Sequence, residues 1–268
     1  MMFDRYRRAR PVALPLPPLL LAGFALVVSG AAASSGVLQL VEKATRGIIA
    51  PVFLLSLIAI GVLLSLIVLV GGIGLDDVGL DRDYVGRGVG VTVMIWAAAQ
   101  VVGVLPRVVA NRPVLLDREF EFGSRLDILS RLVESLGIAT LEEVAVRGFL
   151  LVQLYLLFHG GAGPDRRGVI PALLISLLAA NLAALPAALP YSSWRTALLD
   201  QAALLGLGLF LSWVYLRTRN LFFIIGVHAL LLAPTPIVAA PRQGEGIYHA
   251  VVIGTLASVW ALLWPRRN

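Results

Sequence analysis

The chain contains no cysteine among its 268 residues. That excludes disulfides, thiolate metal sites and cysteine nucleophiles together, and it leaves the redox compartment open. Charge is the second scarcity. Asp, Glu, Lys and Arg make up 14% of the residues, against about 25% in a soluble domain. Too few polar side chains remain to coat a water-soluble globule. The alternating segments of about ten residues that build a membrane β-barrel are missing as well. So are internal repeats and low-complexity linkers, and residues 1–268 read as a single domain.

What is present is apolar. Hydrophobic residues make up 59% and the mean hydropathy is +0.89. Runs of about 20 apolar residues recur, each long enough to cross a bilayer core as a helix. A helix there satisfies its own backbone N–H and C=O groups, which lipid cannot do. The expected fold is therefore an all-α polytopic membrane protein with about eight transmembrane helices. The spans fall at Leu14–Ala33, Ile48–Val70, Gly88–Leu105, Leu136–Phe158, Val169–Leu189, Thr196–Leu216, Leu221–Ala239 and Ile247–Trp264. Pro51, Pro106, Pro190, Pro241 and Pro265 mark boundaries, because proline is tolerated at helix ends and disruptive inside. The first apolar run follows Arg5, Arg7, Arg8 and Arg10 as a signal peptide would. It exceeds the usual apolar length of about 7–15 residues, and so reads as an uncleaved span. Between spans three and four, Leu126, Ile128, Leu129, Leu132 and Val133 share one helical face opposite most of the charges of residues 124–134. This amphipathic stretch either lies along the interface or extends span four.

The net charge is +6 and the isoelectric point about 10.3. The arginines sit in short loops beside apolar spans, which points to topology and anionic lipid rather than nucleic acid. Arg5 to Arg10 place the N-terminus in the cytoplasm. An even number of spans returns Arg266 and Arg267 to the same side. The loop carrying Arg107, Arg112, Arg118 and Arg125 departs from this pattern, where its length weakens the rule.

Charges inside a span cost about 2.5–3.5 kcal/mol each at the bilayer centre on insertion scales, and span four carries Glu142, Glu143 and Arg147 together. Glu143 and Arg147 stand at i,i+4 and can neutralise each other. Glu142 points about 100° away, with no local partner and access to a cavity. Such a carboxylate suits a general base that takes a proton from water and returns it to a leaving group. The competing reading makes all three a buried ionic clamp. His228, flanked by Gly226 and Ala229, is the second candidate. Small neighbours let another helix approach, and its imidazole can bind metal, donate to an oxyanion or simply bridge helices. Asn181 needs a partner inside span five, and amides often join membrane helices. Gln100 reads as packing, and His159 and His249 as solvated residues at span ends.

The segment Leu141-Glu142-Glu143-Val144-Ala145-Val146-Arg147-Gly148 resembles the EExxxR-G signature of the CAAX prenyl endopeptidase and bacteriocin-processing family, the CPBP or Abi-type intramembrane proteases. The stretch from Gly206 to Ala229, with Trp213, Tyr215, Thr218 and Gly226-Val227-His228-Ala229, is similar to the family's last motif region. Asp76-Asp77-Val78-Gly79-Leu80 is similar to its lead-in, so the resemblance covers Gly74 to Pro234. It implies an eight-helix membrane fold and peptide-bond hydrolysis by a water that Glu142 activates. Arg147 then supports the glutamate pair, and His228 positions the water or stabilises the oxyanion. Two positions depart from the pattern. Asn181 stands where the family has a histidine, and Leu232 where it has an asparagine. An amide can orient a water but cannot shuttle protons near neutral pH. Zinc is the metal that the family name implies. Its obvious ligands here are Glu142 and His228, short of the three protein ligands usual for catalytic zinc.

Three functions follow as expectations. The first is an intramembrane endopeptidase in a prokaryotic cell membrane, acting on a peptide or membrane-protein substrate. The second is a catalytically impaired member of the same fold that binds a membrane partner. The third is a transporter, weakened by the missing inverted repeat and broken helices.

Overall fold

The computed structural model of the chain describes residues 40, 43–45, 51–70, 72–111, 113–114, 125–159, 168–188, 194–233, 235 and 245–264. The expected first span, the arginines before it, Arg112, Arg118, Arg166, Arg167, Arg266 and Arg267 lie outside those residues. Among the described residues all regular structure is helical.

Helix α1 spans Pro51–Ser65 and runs into a π-helical stretch at Leu66–Val70. Proline as the first helical residue costs nothing, since that N–H has no partner in any helix. A 3-10 turn at Arg82–Tyr84, capped by Asp81 accepting from the Asp83 N–H, leads into α2, Val85–Val109. Helix α3, Arg125–Glu143, passes without interruption through a π-helical stretch at Val144–Leu150 into α4, Leu151–His159. The amphipathic stretch is thus helical from Arg125 and continuous with the helix of the paired glutamates. Helices α5, Val169–Ala188, α6, Trp194–Thr218, α7, Leu221–Leu232, and α8, Glu245–Leu263, follow.

Two helical runs are long and apolar enough to cross a membrane by length and composition, Arg82–Val109 and Trp194–Thr218; shorter apolar helices lie at Phe53–Leu69, Val169–Leu182, Leu221–Leu232 and Tyr248–Leu263. The outward faces are rich in large apolar side chains, such as Val89, Val93 and Val101 on α2 and Leu198, Leu199 and Leu209 on α6.

Helix α7 lies at the centre. It packs on α2, α3, α6 and α8, and Leu221, Phe223, Ile224, Ile225, Val227, His228 and Leu230 are all buried. Its start is well specified. Arg219 adopts a left-handed φ of 52° and its N–H returns to the Tyr215 carbonyl at 2.8 Å, which terminates α6. Asn220 then caps α7 by accepting from the Phe223 N–H at 3.1 Å. Its amide nitrogen donates to the Tyr84 carbonyl at 3.1 Å and so ties α7 to the entrance of α2. Close approach of α2 depends on Gly88, where a Cβ would stand 2.9 Å from the Phe223 nitrogen, and on Gly226, where one would overlap Thr92.

Two boundaries and one burial differ from expectation. Helix α7 ends at Leu232, well before Ala239, with Ala233 at φ −138° and ψ 85°; Pro234 disfavours helical geometry in the residue before it. Helix α2 continues through Pro106 to Val109. Proline has no N–H to return to the Val102 carbonyl, and the Tyr248 hydroxyl donates to that oxygen instead, at 3.0 Å. His249 is buried, with 3% exposure, rather than solvated. It lies beside Gly103 of α2, where a Cβ would be in ordinary contact with the His249 Nε2 at 3.7 Å.

Candidate active site

The paired glutamates close α3, and the π-helical stretch begins at the next residue. The Leu151 N–H reaches back to the Val146 carbonyl, five residues away instead of four. Such widened turns are rare and collect at functional sites. Five residues of this stretch, Val144, Arg147, Gly148, Phe149 and Leu150, are buried.

Arg147 organises the buried side. Its Nη1 donates to Glu143 Oε1 at 2.9 Å, its Nη2 to the Gly208 carbonyl at 3.0 Å and its Nε to Ser212 Oγ at 3.3 Å. A guanidinium offers five N–H donors in a rigid fork, and here three of its nitrogens are used by one carboxylate and one neighbouring helix. At Gly208 a Cβ would crowd the end of the Leu177 side chain, at 2.8 Å from its Cδ2, and would meet Arg147 Nη2 in ordinary contact at 3.5 Å. Glu143 is fully buried, at 0% exposure.

His228 joins the two glutamates. Its Nδ1 lies 2.7 Å from Glu143 Oε1 and its Nε2 lies 3.6 Å from Glu142 Oε2. Paired with Arg147, the Glu143 carboxylate accepts, which places Nδ1 to donate to it; Nε2, on the other side of the ring, faces Glu142. The Glu142 side chain is 53% exposed and makes no hydrogen bond among the described residues. Adjacent residues thus sit in opposite surroundings: Glu143 is locked between an arginine and a histidine, and Glu142 is open beside the far imidazole nitrogen.

Asn181 makes no hydrogen bond to this cluster among the described residues. Its amide nitrogen donates to the Leu177 carbonyl of its own helix at 3.1 Å, and its buried Oδ1 has no hydrogen-bond partner. Leu232 lies at the end of α7, 47% exposed. Sequence reasoning missed Gly208 and Ser212. The available signal was their spacing: with Tyr215 they fall at i, i+4 and i+7 on one face of a leucine-rich helix, which is where a polar partner for a buried arginine must stand.

Residues 124–233 match the family model described as Type II CAAX prenyl endopeptidase Rce1-like. Over this stretch the chain is homologous to that family. No curated protein and no solved structure matches the chain. The Rce1-like stretch contains Glu142, Glu143, Arg147, Asn181, Gly208, Ser212 and His228, and it begins well after the Asp76 to Leu80 lead-in. That lead-in is nonetheless built onto the Rce1-like part. The Tyr215 hydroxyl donates to the Val78 carbonyl at 3.1 Å, and the Leu221 N–H donates to the Gly79 carbonyl at 3.1 Å. Gly79 itself takes a φ of 89° beneath the Tyr215 ring.

The zinc that the resemblance implies does not fit the donor set. Among the described residues no three His, Cys, Asp or Glu side chains converge to hold a metal. Glu142 and His228 supply one oxygen and one nitrogen where catalytic zinc takes three protein ligands, and Asn181 is turned to its own helix. The chemistry proposed below routes no step through a metal.

Proposed function

We propose that the chain is an integral membrane endopeptidase that hydrolyses a peptide bond with a water activated by Glu142. The observation that carries this reading is the asymmetry around His228: one nitrogen is tied to a buried carboxylate, and the other faces an open one. A water beside Glu142 gives up a proton to its carboxylate as the oxygen attacks the scissile carbonyl carbon. The protonated His228 Nε2 donates a hydrogen bond to the developing oxyanion, while Glu143 stabilises the imidazole from the other side. On collapse of the tetrahedral intermediate the C–N bond breaks, and the Glu142 carboxyl returns its proton to the leaving amine. The products are a free acid and a free amine. The apolar outer faces of α2 and α6 support placement in a bilayer, and the arrangement of about eight spans with both termini cytoplasmic belongs to this proposal.

The test uses full-length protein purified in detergent with a library of quenched peptides, prenylated and plain, beside the Glu142→Ala protein. Cleavage lost in the variant supports the reading. Equal cleavage by Glu142→Ala removes it.

Asn181 favours a second reading, in which the fold binds a peptide or a membrane protein without cutting it. Its amide serves its own helix, where the resemblance puts a histidine. A crosslinked partner whose capture survives Glu142→Gln supports that reading, and cleavage by the native protein excludes it.

A further inference from the structure

We infer that α6 supplies the positioning residues of this site: Ser212 and Gly208 fix the guanidinium of Arg147, and through it the angle at which Glu143 presents His228. The catalytic part of this inference rests on the peptidase reading; the positioning part does not.

Glu143 and Arg147 belong to one continuous helical run, so their ion pair alone could swing as a unit relative to α7. What prevents this is a second helix. The Gly208 carbonyl and the Ser212 hydroxyl both accept from Arg147, at 3.0 and 3.3 Å. They stand one helical turn apart on the buried face of α6, so the fork is held at two points along that helix. Tyr215, the next residue on the same face, binds the Val78 carbonyl. Val78 in turn packs against Gly148, where a Cβ would lie 3.7 Å from the Val78 Cβ. Helix α6 therefore grips the π-helical stretch directly at Arg147 and, through the 76–80 loop, at the residue that follows it. Glu143 Oε1 receives both Arg147 and His228, so a rotation of the guanidinium is passed to the imidazole with no intermediate.

The experiment is nitrogen-15 NMR of histidine-labelled, full-length protein in detergent. The chain has three histidines, and the His228 signal is assigned by its loss in His228→Asn. Ser212→Ala should shift or broaden the Nδ1–H resonance of His228 while the protein keeps its helical content. In the cleavage assay it should lower kcat about tenfold with KM unchanged, the scale of one lost hydrogen bond to a charged group. Ser212→Thr, which retains the hydroxyl, should restore both. Ser212→Ala should add nothing in an Arg147→Lys background. A native His228 resonance in folded Ser212→Ala protein overturns the inference. A moved resonance in a protein that cleaves nothing sinks the peptidase reading instead and leaves the positioning intact.

Discussion

Glu142 and Glu143 are neighbours in the chain and opposites in the fold. Glu143 is fully buried and bonded to Arg147 and His228. Glu142 is half exposed and reaches only the far nitrogen of the same imidazole, at 3.6 Å. The inner half of the site is a scaffold of matched charges, and the outer half is a carboxylate left available. The comparison teaches that one helix can present a locked acid and an open acid side by side. A step of about 100° per residue turns consecutive side chains to different surroundings.

The sharpest way to break the contrast is to remove the inner acid. Glu143→Ala leaves Arg147 buried without its counter-charge and should cost about 3–5 kcal/mol of stability, read as a large fall in the thermal midpoint. Little loss would mean that the two acids are not divided in this way. Glu142→Ala should do the reverse. Cleavage should fall by about 10²–10⁴-fold, the usual contribution of a general base, while stability stays within about 0.5 kcal/mol because the side chain is half exposed. A strongly destabilised Glu142→Ala protein would assign both acids to the scaffold.

The next effect tests how α7 is brought against the inner half. Gly88→Ala sets a methyl group 2.9 Å from both the Phe223 nitrogen and the Phe222 Cβ, and overpacking of that kind costs about 1–3 kcal/mol. Thermal denaturation would measure it, and an unchanged midpoint would mean that α2 and α7 can separate freely. The smallest effect is expected at Tyr248→Phe, which removes the donor to the Val102 carbonyl. A loss of about 0.5–1.5 kcal/mol is expected for that single hydrogen bond, with cleavage unaffected since the bond lies between α2 and α8.

Much of this was legible because helical spacing is regular. The i,i+4 interval of Glu143 and Arg147, the divergence of Glu142 and the positions of most helices follow from the period and from the apolar runs. What escaped depends on residues far apart in the chain. The spacing of Gly208, Ser212 and Tyr215 marks a face of α6, but which charge Ser212 meets is set only when α6 lies against the π-helical stretch that carries Arg147. His249 reads as a solvated end until α8 packs it against α2. The widened turn after Glu143 has no composition of its own, and the continuation of α2 through Pro106 depends on a tyrosine from α8. The length of the central helix was also hard to read, because an apolar run of suitable length need not be one helix. Leu221–Ala239 is uniformly apolar apart from its prolines, Thr235 and His228, yet α7 stops at Leu232.

That early stop has a consequence for the solvent. Helix α7 rises only about 18 Å at 1.5 Å per residue, and a hydrocarbon core is about 30 Å thick. On the proposed membrane reading, a helix that short and enclosed by α2, α3, α6 and α8 would leave the chain beyond its end within the depth of the bilayer, where water could follow it inward. Hydrolysis consumes one water per bond cut. A truncated central helix carrying His228 would give a hydrolase buried in oil its own supply line.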